Sequence, residues 1–561
     1  MITQVLVNSK KNFHSSFLLI IIMDIVIIGQ CIRHSGLLLL LTFFAIMAII
    51  SSPRVYGEEN SNSSLRITHG IASGDVTDHS AIIWSRVNQP SIMHVEYSND
   101  PLFSNSNSSI EWTDNATDFT GNIRLDNLTG GIKYFYRVWF STTDNHINST
   151  SMGGTFKTAP NSTTSGELIS FIVGADIGGQ KFCREVNKGY YIFEKMKSLS
   201  PDFYIQNGDM IYAINDCPAK RPDGNQNIPG NFLGIADPNV DWKNLTQVHD
   251  VYVKHWAYNR LDPHLQNFLN STSMYSQWDD HEVINDFGAA WSYWNSLSKN
   301  RTGYSNLVEE GRNAFFNFSP IERNHNDTNK IYRSFHWGKD LDLLILDARS
   351  NRSRNDIADT PENNKTMLGK EQLTWLKENL LNSNATWKIV SSDVPVSIPT
   401  GANASKFGRD GWANGIDLGF SSKTGFEREL TEIMKFIDDN DIKNVVFVTT
   451  DVHFPATLKY GADVNGDGDP INVYEIVSGP LSAFRFGIPG APLPMLDPTF
   501  QPTILYVEGG ISNFAYIQIQ KQNDGNVHLI ANIIGEDGQP RAGSQIDLVS
   551  QEKIIHNFPK S

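Results

Sequence analysis

From residue 167 onward the hydrophobic positions come in short unbroken runs, each closed by polar or acidic residues. Leu168–Val173, Asp202–Gln206, Met274–Trp278, Leu341–Leu346, Trp387–Ser391 and Asn444–Val448 are such runs. Short, β-prone and without polar alternation, they predict strands buried on both faces, as in a parallel sheet covered by helices. Helical patterns near Tyr190–Leu199, Val248–Leu269, Gly369–Leu381 and Thr424–Asp439 lie between them, which predicts an α/β domain. Ala213 to Asp250 is polar, rich in Pro and Gly and without period, so it reads as a long loop near a site. Upstream, Ala81–Arg86, His94–Tyr97 and Tyr134–Phe140 are strand-like runs divided by Asn, Ser, Gly and Asp clusters. They predict a small all-β domain over 65–158, with Thr158–Gly166 as linker and the α/β domain over 167–540.

The first 57 residues read as a targeting segment rather than fold. Gly36–Ile50 is an apolar run of signal length, preceded by Arg33 and followed by small residues at Val55 and Gly57. A cleaved secretory signal is the first reading, and an uncleaved N-terminal anchor is the alternative, because a second apolar run spans Phe17–Gln30. Either places the remainder outside the cytoplasm, secreted or extracytoplasmic. The Asn-x-Ser/Thr triplets at Asn107, Asn115, Asn127, Asn148, Asn161 and Asn244 agree with that compartment. A formal net charge of −15 argues against a nucleic-acid partner held through phosphates. It leaves a small phosphorylated substrate open, since bound cations reverse the local field.

Candidate chemistry gathers where the buried runs end. Asp176 follows the first run, and Asn207-Gly208-Asp209-Met210-Ile211-Tyr212 follows the second, one βαβ unit later. Both carboxylates therefore fall at one sheet edge, where open α/β sheets keep their sites. Tyr212 is close enough to bring a phenol to the same centre, which becomes a ligand only under a strong Lewis acid. Asp279-Asp280-His281-Glu282 closes the third run, and Asp451-Val452-His453 closes the last. Arg349, after Leu341–Leu346, is a candidate phosphate fork, with an ordinary Asp–Arg pair as the other reading. Asn207 joins His281 and Arg349 as a candidate substrate contact. Asp463–Asp469 resembles the start of a Ca²⁺ loop but has Tyr474 where the closing Glu belongs, so a plain acidic turn is the better reading.

Taken in order, Asp176, Gly208-Asp209-x-x-Tyr212, Asp280-His281-Glu282 and Asp451-x-His453 resemble the motifs of calcineurin-like metallophosphoesterases, and most closely the alkaline phosphatase D (PhoD-like) family. His69–Asp75 with Ile83–Arg86 is similar to the start of that family's N-terminal β-sandwich, and Glu475–Pro480 to its C-terminal part. Leu125-x-x-Leu128-Thr-Gly-Gly-x-x-Tyr134 resembles the tyrosine corner of a fibronectin or immunoglobulin-like sandwich. The resemblance implies a four-layer βαββ-type sandwich that hydrolyses phosphomonoesters or diesters. It implies Fe³⁺ plus one or two divalent ions, with Ca²⁺ leading and Zn²⁺ or Mn²⁺ as alternatives. It carries metal binding to Asp176, Asp209, Tyr212, Asp280, Asp451 and His453, and proton transfer or phosphate contact to His281. Thr450 departs from the family's usual Gly. Cys183 has the spacing of the family's iron-binding cysteine, but Cys183 and Cys217 also follow neighbouring strands and can pair as a disulfide. Two rival functions stand beside the phosphatase: a phospholipase D-type phosphodiesterase, and a surface glycoprotein with a degenerate metal core.

Overall fold

The computed structural model describes residues 64–144, 147–288, 292, 302–401, 404–415, 424–487 and 496–551, so the signal or anchor assigned to 1–57 lies outside the described residues. Seven strands come first: β1 (Ile67–Gly74), β2 (Ala81–Val87), β3 (Ser91–Ser98), β4 (Asn107–Thr113), β5 (Thr120–Leu125), β6 (Lys133–Ser141) and β7 (Met152–Lys157). Strand and helix then alternate through β8 (Ile169–Gly174), α1 (Ile192–Ser198), β9 (Phe203–Asn207), α2 (Leu245–Arg260), α3 (Pro263–Leu269), β10 (Ser273–Gln277) and α4 (Tyr304–Phe318). The second half holds β11 (Arg333–Trp337), β12 (Leu341–Ile345), α5 (Gly369–Asn382), β13 (Trp387–Ser391), α6 (Glu427–Asp439) and β14 (Val445–Thr449). It ends with β15 (Ala456–Tyr460), β16 (Val473–Val477), β17 (Thr503–Val507), β18 (Asn513–Lys521), β19 (Val527–Gly535) and β20 (Ile546–Val549).

Two large sheets carry the centre of the molecule. One runs β20-β19-β18-β8-β9-β10-β1-β2-β5 and the other β11-β12-β13-β14-β16-β15-β17. The period of two along each strand separates two cores. On β8 and β9, Phe171, Val173, Phe203 and Ile205 face the opposite sheet, where they meet Leu343, Ile345, Ile389, Val446 and Val448. Their alternates Ile172 and Tyr204 face α1 to α4, while Leu344, Val390 and Phe447 face α5 and α6. The order of layers is therefore helix, sheet, sheet, helix, and strands with no polar face are its sequence signature. Helix α6 shows the outer layer's logic: Leu430, Ile433, Met434 and Ile437 are its buried stripe.

The single helix expected over Val248–Leu269 is two, α2 and α3. Pro263 has no amide hydrogen to continue α2, and Asp262 caps the new helix by accepting from His264 N at 3.0 Å and Leu265 N at 3.1 Å. In the N-terminal region β4-β3-β6-β7 form a separate sheet, while β1, β2 and β5 extend the large sheet because β1 pairs in parallel with β10. The exposed strand β4 is absent from the sequence reading because it has little apolar signal to betray it. Tyr134 makes the expected corner tie, its hydroxyl accepting from Thr129 N at 2.9 Å. Thr158 and Ala159, in the expected linker, are fully buried. No helix among the described residues is long and apolar enough to cross a membrane.

Candidate metal centre

Strands β8, β9 and β10 run parallel in one sheet, and β12, β13, β14 and β16 run parallel in the other. At their carboxyl ends the dry core between the sheets gives way to amides and hydroxyls that tie the two rims together. Asn207 Nδ2 donates to Ser392 O at 3.2 Å and to Val448 O at 3.0 Å. Ser391 Oγ lies 2.6 Å from Gln277 Oε1, and Thr450 Oγ1 donates to Asn207 O at 2.8 Å and Asp393 O at 3.1 Å. The ties satisfy buried backbone oxygens and the side-chain oxygen of Gln277, so the loops of both sheets are held in one register. Asn207, expected from sequence as a substrate contact, is a cross-sheet tie whose amide donors are spent on backbone, while its Oδ1 is buried without a partner. Thr450 supplies a hydroxyl to both ties that a glycine at this position would lack.

These rims bring the expected ligands together. One donor atom each from Asp176, Asp209 and His453 lie within 4.8 Å of one another, and so do donors from Asp209, Asp280 and His281. Asp209 belongs to both groups, as a carboxylate bridging two cations must. Asp451 groups with Asp279 and Asp280 instead of with His453. The Tyr212 hydroxyl lies 2.8 Å from His453 Nε2 and 3.3 Å from Asp176 Oδ1, and its ring stacks on His281 at 4.0 Å. His453 Nδ1 is 2.6 Å from the Phe484 carbonyl, which assigns the proton to Nδ1 and leaves Nε2 bare toward the cluster.

The local backbone is bent to make this convergence. Asp176, Asp209, Asp451 and His453 have φ of 64°, 52°, 72° and 58°. Left-handed backbone is unfavourable for side-chain-bearing residues, and least so for Asp. Two glycines make room: a Cβ on Gly208 would fall 2.3 Å from Asp279 Cβ, and one on Gly479 2.4 Å from Asp176 Oδ2. Glu282 pins the loops by accepting from Met210 N at 2.7 Å, Asp279 N at 3.0 Å and Asp209 N at 3.1 Å. Burial pushes its carboxyl up to about 8 despite those amides.

Electrostatically the centre is short of positive charge. Asp176, Asp209, Asp279, Asp280, Glu282, Asp393 and Asp410 are all buried, around the buried guanidiniums of Arg349 and Arg352. Burial, and then repulsion from Asp279 and Asp280, hold the Asp176 and Asp209 carboxyls well above the usual range. Burial lowers His281 to about 3 and His453 to about 4, so both imidazoles are neutral. Asp176 Oδ2, Asp280 Oδ1 and His281 Nδ1 are buried without a hydrogen-bond partner. Hard oxygens, a bare imidazole nitrogen, a phenol and unsatisfied buried acceptors are a donor set that fits bound cations.

Two residues that the sequence leaves between two readings resolve against the ligand role. Cys183 is bonded to Cys217, packed with Tyr258 and Phe232, so its sulfur is not a thiolate and not a metal ligand. Arg349 is no phosphate fork. It is fully buried and spans Asp279 at 2.5 Å, Asp410 at 2.7 Å and Asp393 at 3.3 Å, leaving no face for a ligand. The acidic loop at Asp463 caps its own turn, its carboxylate accepting from Gly466, Asp467 and Gly468 amides. The sequence reading also gave no role to Asp279, Glu282, Asp393 and Asp410. Asp393 had a positional signal, since it follows β13 as Asp176 follows β8; Asp410 lies in an irregular segment and had none.

The sequence profile of PhoD-like phosphatase matches residues 172–508, and that of the PhoD-like phosphatase N-terminal domain matches residues 52–160. Alkaline phosphatase D of Bacillus subtilis (strain 168) is 24% identical over 422 residues. That alignment spans 70% of this chain and 65% of the relative, just under two thirds of its length. A solved structure of PhoD is 19% identical with a TM-score of 0.65, covering 88% of this chain and 94% of that one. The purple acid phosphatase PPD1 from yellow lupin (Lupinus luteus) seeds is 11% identical with a TM-score of 0.54, covering 87% and 74%. At these identities the structural likeness speaks for the fold alone, while the first profile covers more than half of the sequence. The chain belongs to the PhoD-like phosphatase family.

Proposed function

We propose that this chain is a metal-dependent phosphoester hydrolase of the alkaline phosphatase D type, secreted or otherwise extracytoplasmic. The observation that carries the reading is Asp209: its carboxylate is shared by two donor groups drawn from the loops of both sheets. A phosphate dianion placed among so many buried carboxylates is repelled unless cations are present. Bound there, Fe³⁺ and a divalent ion such as Ca²⁺ would supply the charge that holds phosphoryl oxygens and acidifies a water for in-line attack. Asp176, Asp209, Tyr212 and His453 would hold one ion, and Asp209, Asp280 and His281 surround the other position, with Asp451 beside Asp280. His281 is neutral, stacked on Tyr212, and has a free Nδ1, so it is suited to hydrogen-bond the phosphoryl group, and it would pass a proton to the leaving oxygen only where the bound phosphoester raises its basicity against the effect of burial. No nucleophilic Ser or Cys is required.

The disulfide and the exposed Asn107, Asn115, Asn127, Asn148, Asn161 and Asn244 support an oxidising, glycosylating compartment. The Tyr134 corner supports a fibronectin or immunoglobulin-like sandwich over 65–158, ahead of a catalytic domain over 167–540.

The test is Asp209→Asn. The variant should fold like the parent by circular dichroism, lose bound metal, and lose turnover of p-nitrophenyl phosphate. A variant that keeps near-parental turnover defeats the hydrolase reading. Running bis-p-nitrophenyl phosphate alongside separates a monoesterase from a phosphodiesterase.

A further inference from the structure

Next to His453 stand two aromatic rings that the metal centre does not use. Phe484 is 42% exposed and Phe486 51%, and they meet edge to face at 5.1 Å. The Phe486 ring lies 6.1 Å from the His453 ring, and Phe182 backs Phe484 at 6.4 Å. The segment is anchored to the site by its backbone. Phe484 O faces His453 Nδ1 at 2.6 Å, Phe486 N donates to His453 O at 3.2 Å, and Phe486 O accepts from Gly510 N at 2.7 Å. Gln180 Oε1, from the loop after β8, accepts from Phe484 N at 3.2 Å. Two adjacent aromatic rings, each about half in water, form an exposed apolar patch at the edge of a charged centre. His453 turns Nε2 to the cluster where a phosphoryl group would sit, and Phe486 stands one imidazole further out, within reach of the group bonded to the ester oxygen.

Resting on the hydrolase reading above, we propose that Phe484 and Phe486 form the subsite for an apolar alcohol portion of the phosphoester. Rings that meet edge to face present both an edge and a face to a planar group, and a flexible alkyl chain can cover the same surface. The enzyme would therefore favour phosphoesters of aryl or alkyl alcohols over those of small hydrophilic ones.

The experiment is calorimetric titration of the metal-loaded full chain with three non-hydrolysable phosphonates: methyl, benzyl and hexyl. In the parent, benzyl- or hexylphosphonate should bind roughly tenfold more tightly than methylphosphonate, the scale of one well-made aromatic contact. A larger gain for benzyl assigns an aryl alcohol, and a larger gain for hexyl an alkyl one. In the Phe484→Ala/Phe486→Ala double variant that ratio should fall to near one, while Phe486→Trp should keep it. Thermal unfolding of each variant confirms folding. Equal affinities in the parent, or a ratio that survives the double substitution, overturn the subsite and leave the hydrolase reading standing. If no phosphonate binds the parent, both fall together.

Discussion

Asp176, Asp209, Asp451 and His453 all carry positive φ, so the ligand positions are held by the surrounding packing against their own backbone preference. Gly479 shows how narrow the accommodation is. Its φ is +98°, and an added Cβ would stand 2.4 Å from Asp176 Oδ2. Gly479→Ala therefore forces the Asp176 carboxylate to move, in addition to the left-handed cost of about 1–2 kcal/mol. Metal affinity should fall roughly 10–100-fold, as when a ligand loses its positioning neighbour. Gly525→Ala is the control, since Gly525 has φ +91° and open space around its missing Cβ. Metal retained after dialysis should drop for the first variant alone; equal retention in both would show that Asp176 is not held in this way. The same residue-scale view explains what the sequence disclosed. Asp176, Asp209, Asp280 and His453 were legible because each follows a buried run within a few residues. The spent amide of Asn207 was not, and Cys183 stood between thiolate ligand and disulfide, because both depend on a partner set by the tertiary fold.

The legible part of each strand is its buried run, and the illegible part is which sheet it joins. Nothing in Phe203–Asn207 or Val445–Thr449 says that the two strands face each other across a core, yet Asn207 and Thr450 tie them at their ends. Arg349 belongs to this level, because it gathers the loops after β10 and β13 and the segment at Asp410 from behind the loop after β12. Read alone, an Arg after a strand end beside acids suits a phosphate fork equally well. Its burial and three carboxylate partners make it a brace. Removing one partner of a buried ionic network leaves charges uncompensated, so Arg349→Met should destabilise by about 3–5 kcal/mol in denaturant titrations. Asp410→Asn in the same background should cost less than it does alone, because the two side chains share one interaction. Full stability with a raised KM for phosphoester would return Arg349 to the role of phosphate ligand.

At the scale of the molecule, the N-terminal strands are built into the fold, and one polar cluster makes that junction sensitive to pH. His249 on α2 lies 2.9 Å from Asp118, in the loop before β5, and 2.7 Å from Glu310 on α4. Asp118 also accepts from Asn317 Nδ2 at 2.8 Å through its other oxygen. The hydrogen bonds to Asp118 and Glu310 raise His249 from its ordinary 6.5 to about 10, against the opposing effect of burial. A raised folded-state pKa means that the protonated imidazole stabilises the fold, fully so below pH 6.5 and progressively less as the pH climbs through 10. Glutamine can replace the hydrogen bonds in part but not the charge. His249→Gln should accordingly be less stable than the parent at pH 6, with the difference shrinking between pH 7 and 10 and gone beyond it. Denaturant midpoints of both proteins at pH 6, 8 and 10 give the answer, and a gap that stays constant across that range would refute a charged tie.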